Sequence, residues 1–371
     1  MRLCSFNVQN FFNRAVALNQ EDLSITKKAL SLFKEFNEII QKPVYSKADK
    51  KKLLKCIEEL NLNSKGESKY FILRKTRGQL IKKPKNKPPE IVAAGRDSWI
   101  GWLELKTGPV NEIATHMTAK VIKDVNADIL SIIEIENRVA LKNFNSQYLK
   151  PNNSDYSHIM LIDGNDDRGI DVGIMTKADL SIESIISHVD EKTNGEFLFS
   201  RDCPEYQVRI NDNASILILV NHLKSKMGDP ETSDAKRKSQ AKRVREIYEL
   251  RKSQGHKFIA IMGDFNDIPK SDPLSPLFKD GSDLKDISSH PKFDDGGRPG
   301  TIGNCEEKDK FDYILLSPAL FDKVTAGGIL RKGIWSRGRN QKPHFPHYDE
   351  ITKPEHAASD HAAIWADIDI E

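Results

Sequence analysis

The feature that most constrains this chain is a series of short apolar runs, each ending in or opening on a carboxylate, an amide or a histidine. Residues 2–8 alternate in polarity and lead into the cluster Asn7-Val8-Gln9-Asn10. The run DILSIIE closes on Glu134, with Glu136 just beyond, and SILILVN closes on Asn221 and His222. KFIAIMG is followed by Asp264 and Asn266 in GDFND, FDYILL carries Asp312, and Asp360-His361 open the last run at 361–368. A further run, IDVGIM, covers 170–175. Runs apolar at successive positions are strands covered on both faces, by helices or by a second sheet. Between them the spacing predicts a helix from Asn111 (Ile113, Met117, Val121, Ile122) and a strongly charged one over 234–252. No repeat of fixed short period is present. The alternation argues α/β or α+β without fixing topology.

Residues 20–95 have a different texture. Segments 22–40 and 47–61 show helical spacing with lysines outward, and KKPKNKPP at 82–89 reads as an extended loop. In this stretch 18 Lys and Arg face 9 Asp and Glu, an excess of +9, so the remainder carries −6 against a total of +3. The predicted organisation is a main domain over 1–19 and 96–371, with a Lys-rich helical insertion at 20–95 hung on it.

With 38% hydrophobic and 30% charged residues in 371, the composition is that of a globular chain able to bury a core. No apolar stretch is long enough to span a bilayer, and the opening MRLCSFNVQNFF lacks the pattern of a secretory leader. The four cysteines (Cys4, Cys56, Cys203, Cys305) are scattered, which excludes a zinc cluster of Cys-x-x-Cys type and fits a reducing, cytoplasmic setting. A monomer without membrane association is expected.

Strand ends on one edge of a sheet converge in space, so these distant residues can share one pocket. Carboxylate and amide oxygens suit a hard divalent cation, and a neighbouring carboxylate can activate water. Singly, each piece has an ordinary reading: GDFND is turn chemistry, and Asp360-His361 can be a cap or an ion pair. The whole series in this order is much harder to obtain by chance.

That order resembles the endonuclease/exonuclease/phosphatase superfamily, through FNVQN, DILSIIEIEN, RGIDVGIM, NHLKSK, GDFND, FDYILLS and SDH. The resemblance covers residues 1–10 and 128–368 and implies a four-layer α/β sandwich, two mixed sheets face to face with helices outside. It implies Mg²⁺, with Mn²⁺ substituting, on Glu134, Asn7 and Asp360. Asp264 matches the residue that orients or deprotonates the attacking water, and Asn266 the amide that holds a phosphate oxygen. His361 would meet the scissile phosphate with Asp312 fixing its tautomer, and His222, beside Asn221, would stand near the leaving group. Arg168 would clamp a phosphate. Gln9, the I-E-I-E-N-R context of Glu134 and Ile170 depart from the abasic-site repair pattern, which disfavours that activity.

The substrate stays open between classes. The basic insertion, the cationic helix 234–252 and the loop 331–348, with Trp335 and Arg337 as candidate contacts, favour nucleic acid, DNA above RNA. The alternatives are an inositol-phosphate or other phosphomonoester phosphatase, and a non-catalytic nucleic-acid-binding member. The latter would be expected to have lost Glu134, Asp264 or His361.

Overall fold

The computed structural model describes residues 1–17, 24–62, 64–85, 87–166, 168–226, 229–279, 281–336 and 342–370. The chain divides into two compact units, one of Met1–Phe12 with Val110–Glu371 and one of Asn13–Pro109. In the first unit the elements are β1 (Arg2–Asn7), α1 (Glu112–Val125), β2 (Ile129–Ile135), β3 (His158–Ile162), β4 (Asp171–Thr176), β5 (Ile182–Ile186) and β6 (Glu205–Asn211). They continue with β7 (Ala214–His222), α2 (Pro230–Ser253), β8 (Ile259–Asp264), β9 (Lys285–Asp286), β10 (Phe293–Asp294), β11 (Asp312–Leu316), β12 (Val324–Leu330) and β13 (Ala363–Ile368).

These strands form a seven-stranded sheet, β10-β12-β13-β1-β2-β4-β3, and a six-stranded sheet, β5-β6-β7-β8-β11-β9. Both are mixed. The parallel pairs β1/β2 and β7/β8 need crossovers, and α1 and α2 supply the helices for them.

The sheets face each other across a core in which Ile129, Ile133, Val172 and Ile174 meet Ile216, Ile218, Val220 and Met262. The intervening residues point outward and are covered in turn. Cys4, Phe6, Leu130 and Ile132 pack with Met117, Val121 and Ile122 of α1, and Leu217, Leu219, Ile259 and Ile261 with Val244, Ile247 and Tyr248 of α2. A strand buried on both faces must be apolar at successive positions, which explains the runs in the sequence. The architecture is the four-layer α/β sandwich.

Both helices are capped by their own sequence. The Asn111 side chain accepts from Ile113 N at 2.9 Å, and Asn126 ends α1 in the left-handed region at φ 49°. Helix α2 begins with Asp229 accepting from Thr232 N at 2.9 Å and Pro230 in the first turn.

The second unit is wider than the stretch 20–95 and is not purely helical. It contains helices Ser24–Ile40 and Lys47–Glu59, the second opened by a Ser46–Asp49 capping box. Strand Phe71–Gly78 pairs with Trp99–Leu105, and Ile81–Lys82 with Glu90–Ile91. In Trp99–Leu105 the residues alternate between buried and more open, so its inner face joins Phe33, Phe36 and Leu53 in a core separate from the sandwich.

Candidate active site

Register places three of the expected residues in a row across the six-stranded sheet. His222 of β7 lies opposite Asp264 of β8, and Asp264 opposite Asp312 of β11. The glycine before Asp264 makes this possible: Gly263 has φ 144°, and a Cβ there would stand 1.8 Å from the Asn221 carbonyl oxygen. GDFND is therefore not turn chemistry at its start but the end of a strand pressed against its neighbour.

The seven-stranded sheet supplies the other side. Asn7 pairs with Ile133, and its Nδ2 donates to Asp264 Oδ2 at 3.3 Å, bridging the two sheets. Glu134 follows Ile133 in the left-handed region, at φ 62°, as do Gln9, Asn10 and Asn266 at φ 54°, 62° and 55°. For a glutamate such a backbone costs on the order of 1–3 kcal/mol and is held only where surroundings impose it, most often at functional sites. The Glu134 carboxylate remains 22% exposed, while Asp264 is 2% exposed.

Two histidines approach the Asp264 carboxylate in opposite protonation states. His222 Nε2 lies 3.5 Å from Asp264 Oδ2 and 3.6 Å from Glu134 Oε1. Burial, helped by Arg201 and Arg168, pushes its pKa well below the ordinary histidine value, so it is neutral. His361 Nε2 lies 3.8 Å from the same Oδ2, and its Nδ1–H donates to Asp312 Oδ2 at 2.8 Å. Burial opposes its charge, but Asp312, Asp264 and Asp360 outweigh burial and raise its pKa well above the ordinary value. Asp312 is itself fixed, its N–H donating to Thr301 Oγ1 at 3.1 Å.

Asn266 donates through its backbone to Asp264 Oδ1 at 2.8 Å and through its side chain to the Leu223 carbonyl at 3.1 Å. Burial raises the pKa of Asp264, with Asp312 and Glu134 acting in the same direction and the His361 charge against it. Burial and then Asp360 raise that of Glu134.

Arg168 does not reach out alone. Its Nε and Nη2 grip Asp166 at 2.8 and 2.6 Å, and Asp166 also takes Nη1 of Arg201 at 3.1 Å. Sequence reasoning missed Arg201 and Asp166. The spacing of Asp166 two residues before Arg168 was a usable signal, since Arg168 N donates to Asp166 Oδ1 in a local turn at 3.0 Å. Nothing around Arg201 marked it as buried.

The remaining expected residues lie at the rim of this convergence or outside it. Asp360 is 62% exposed, with Oδ1 4.0 Å from His361 Nε2. Trp335 is partly buried, packs against the α1-side core and tilts against His347 at 5.8 Å. Its neighbours Phe345 and Tyr348 are buried, Tyr348 bonding to Asp124 at 2.8 Å, so these rings are not free to stack on a substrate. Arg337 lies outside the described residues.

The donor set fits a divalent cation. Glu134, Asp264, Asp312 and Asp360 surround the His361 imidazolium, and the buried oxygens Asp312 Oδ1 and Asn221 Oδ1 have no hydrogen-bond partner among the described residues. Asp264, Asp312 and His361 offer ligand-type atoms all within 4.8 Å of one another. His361 Nδ1 is already committed to Asp312, however, and a hard cation prefers oxygen.

Residues 79–323 match the Endonuclease/Exonuclease/phosphatase family. A comparison with curated protein sequences returns no match. Among solved structures, the mannosyl-6-phosphatase of Bacteroides thetaiotaomicron is similar at 16% identity and a TM-score of 0.51, over 70% of this chain and 92% of that one. An endonuclease/exonuclease/phosphatase family protein of the same organism is similar at 18% identity and a TM-score of 0.50, over 69% and 89%. Truncated Caenorhabditis elegans TDP2 gives 18% identity and a TM-score of 0.48, over 68% and 90%. At these identities the likeness is one of fold. The family match and the sandwich agree, and the chain belongs to the endonuclease/exonuclease/phosphatase family of metal-dependent phosphoester hydrolases.

Proposed function

We propose that this chain is a nuclease, hydrolysing the phosphodiester backbone of DNA and, by the same chemistry, of RNA. The observation that carries the choice of substrate is the unit Asn13–Pro109, in which 21 Lys and Arg face 11 Asp and Glu. Such an excess attracts a polyanion whatever its sequence. The buried, free state of Cys4, Cys56, Cys203 and Cys305 fits the cytoplasmic setting that we assign to it; we further assign it as a monomer. No helix among the described residues is long and apolar enough to cross a membrane.

We assign Glu134, Asn7 and Asp360 as the residues that hold Mg²⁺, with Mn²⁺ able to replace it. When bound, the cation neutralises phosphate oxygens and developing negative charge. Asp264 orients the attacking water and takes its proton, and Asn266 holds a phosphate oxygen. The charged His361 presents Nε2–H to the scissile phosphate while Asp312 keeps its Nδ1 engaged. Neutral His222, with Asn221 beside it, stands at the leaving-group side. Arg168 steadies the phosphate from its grip on Asp166, and Trp335 and Arg337 are assigned to more distant substrate contacts.

A phosphomonoester phosphatase, including one acting on inositol phosphates, is the second reading. It is favoured by Arg168 and Arg201, two guanidinium groups held on Asp166 whose charges act on Glu134. The non-catalytic reading is disfavoured, because Glu134, Asp264 and His361 are all present and converge. The deciding experiment offers labelled DNA, RNA, an inositol phosphate and a sugar 6-phosphate to the purified chain with Mg²⁺. Strand cleavage that EDTA abolishes is expected. Release of phosphate from the monoesters with both polymers intact would replace the nuclease reading by the phosphatase one.

A further inference from the structure

Among the concavities of the unit Asn13–Pro109, two have linings that differ in charge. One lies among Lys34, Glu35, Glu38, Lys42, Asp49 and Lys52 and neutralises itself. Its pairs are Lys42–Asp49 at 2.6 Å, Lys52–Glu35 at 3.0 Å and Lys34–Glu38 at 3.6 Å. The other is a pocket of about 360 Å³ with an apolar floor that includes Ile57, Leu73 and Trp99, and with exposed Lys65, Lys75 and Lys83 around it. Among the described residues, no Asp or Glu lines it. Neither Lys75 nor Lys83 has an acidic partner among the described residues.

The local sequence builds this pocket. Lys75 pairs across the ribbon with Gly101, and a Cβ at Gly101 would come within 2.4 Å of the Trp99 ring. The glycine therefore lets the indole lie buried beneath the strand, where it supports a floor whose open apolar side chains are Leu73 and Ile81. An apolar floor edged by Lys75 and Lys83, neither with an acidic partner among the described residues, suits a ligand with a flat, uncharged face and an anionic backbone. The volume falls within the roughly 300–1,000 Å³ of sites that enclose organic groups.

We propose that this pocket binds single-stranded nucleic acid, taking one unpaired base on its floor while Lys75 and Lys83 hold the flanking phosphates. Bases within a duplex are stacked and paired, and cannot enter such a pocket without leaving the helix. The identity of the ligand rests on the nuclease reading above; the pocket and its charge do not.

The test uses the full chain in EDTA, so that no hydrolysis occurs, with a 5′-labelled oligothymidylate followed by fluorescence anisotropy. Lys75→Glu/Lys83→Glu should weaken binding about tenfold or more, while Lys34→Glu/Lys52→Glu, the same charge change at the neutral concavity, costs less than about threefold. A strand of the same length lacking bases should bind the unaltered protein at least about fivefold more weakly. Equal losses in the two double variants, or equal binding of the baseless strand, would overturn the proposal in favour of diffuse charge attraction. Binding to phosphatidylserine vesicles that depends on Lys75 and Lys83, with no oligonucleotide binding, would overturn it in favour of a lipid. Cleavage with Mg²⁺ is scored separately. Cleavage retained with no effect of the Lys75/Lys83 pair removes only the pocket, whereas no cleavage of any polymer removes the nuclease reading.

Discussion

Helix α2 and the appended unit are both rich in lysine and arginine, and the fold treats their cations in opposite ways. On α2, Arg237 is buried between Asp234 and Asp267 and donates to the Lys224 carbonyl at 2.6 Å. Arg243 grips Glu191 at 2.7 Å, Arg251 grips Glu205 at 2.6 Å, and Lys238 meets Asp272 at 2.9 Å. The helices of the appended unit are partly paired as well, Lys28 with Glu59 at 2.7 Å for example. In its ribbon and the loop beyond, Lys75, Lys83, Lys85 and Lys87 are exposed with no acidic partner among the described residues. A count of positive residues therefore does not locate a phosphate-binding surface; unmatched cations do. The α2 cations hold the sandwich together, and the unmatched ones are free to meet substrate.

The strongest attempt to break this contrast is Arg237→Met. Losing one partner leaves buried Asp267 short of its guanidinium, so stability measured by urea unfolding should fall by about 3–5 kcal/mol. Oligonucleotide affinity of the folded variant should stay unchanged. A stable variant that binds poorly would return Arg237 to the substrate surface.

Next in size is Lys85→Gln/Lys87→Gln. Each lysine that contacts a phosphate contributes about one unit to the slope of log affinity against log salt, so the slope should drop by up to about two while the melting temperature stays put. An unchanged slope would mean that these lysines do not meet the backbone.

The paired cations of α2 also predict a pH profile. His188 sits 2.6 Å from Glu191 and 2.9 Å from Glu205, the carboxylates that Arg243 and Arg251 hold. Burial opposes its charge, but Glu205 and Glu191 prevail and raise its pKa above the ordinary 6.5. That contribution is complete below pH 6.5 and is lost as pH rises through the raised value. Arg243 holds Glu191 down at about 2, and its contribution, present above the ordinary 4.5, is lost as pH falls toward 2. Unfolding followed across pH should show this cluster contributing fully between about pH 4.5 and 6.5, and His188→Gln should flatten the alkaline side. The smallest effect is reserved for Lys242→Ala. Its Glu246 partner is 4.0 Å away and both are well exposed, so stability should move by no more than about 0.5 kcal/mol.

Much of the site was legible because strand-end polar residues are conspicuous against apolar runs. Asn7, Glu134, His222, Asp264 and Asp312 each break such a run, and the register brings them together. The pairing of α2 was not legible, because the partners Glu191, Asp267 and Asp272 lie in loops whose approach depends on tertiary packing. Arg201 was hidden for the same reason: a buried arginine has the same letter as an exposed one. The strand Phe71–Gly78 escaped notice because RKTRG carries exposed charge where a buried strand would be apolar, leaving only Phe71 fully inside. In the loop 331–348 the rings of Phe345 and Tyr348 serve the core, which their letters alone do not reveal.

Hydrolysis at Asp264 is the most direct test. With Mg²⁺ and labelled DNA, the unaltered chain should cleave the strand and Asp264→Asn should lose about 10²–10⁴-fold in rate, with its oligonucleotide affinity in EDTA unchanged. A variant that cleaves DNA at close to the unaltered rate would contradict the assignment of Asp264 as the base, and with it the site built around that carboxylate.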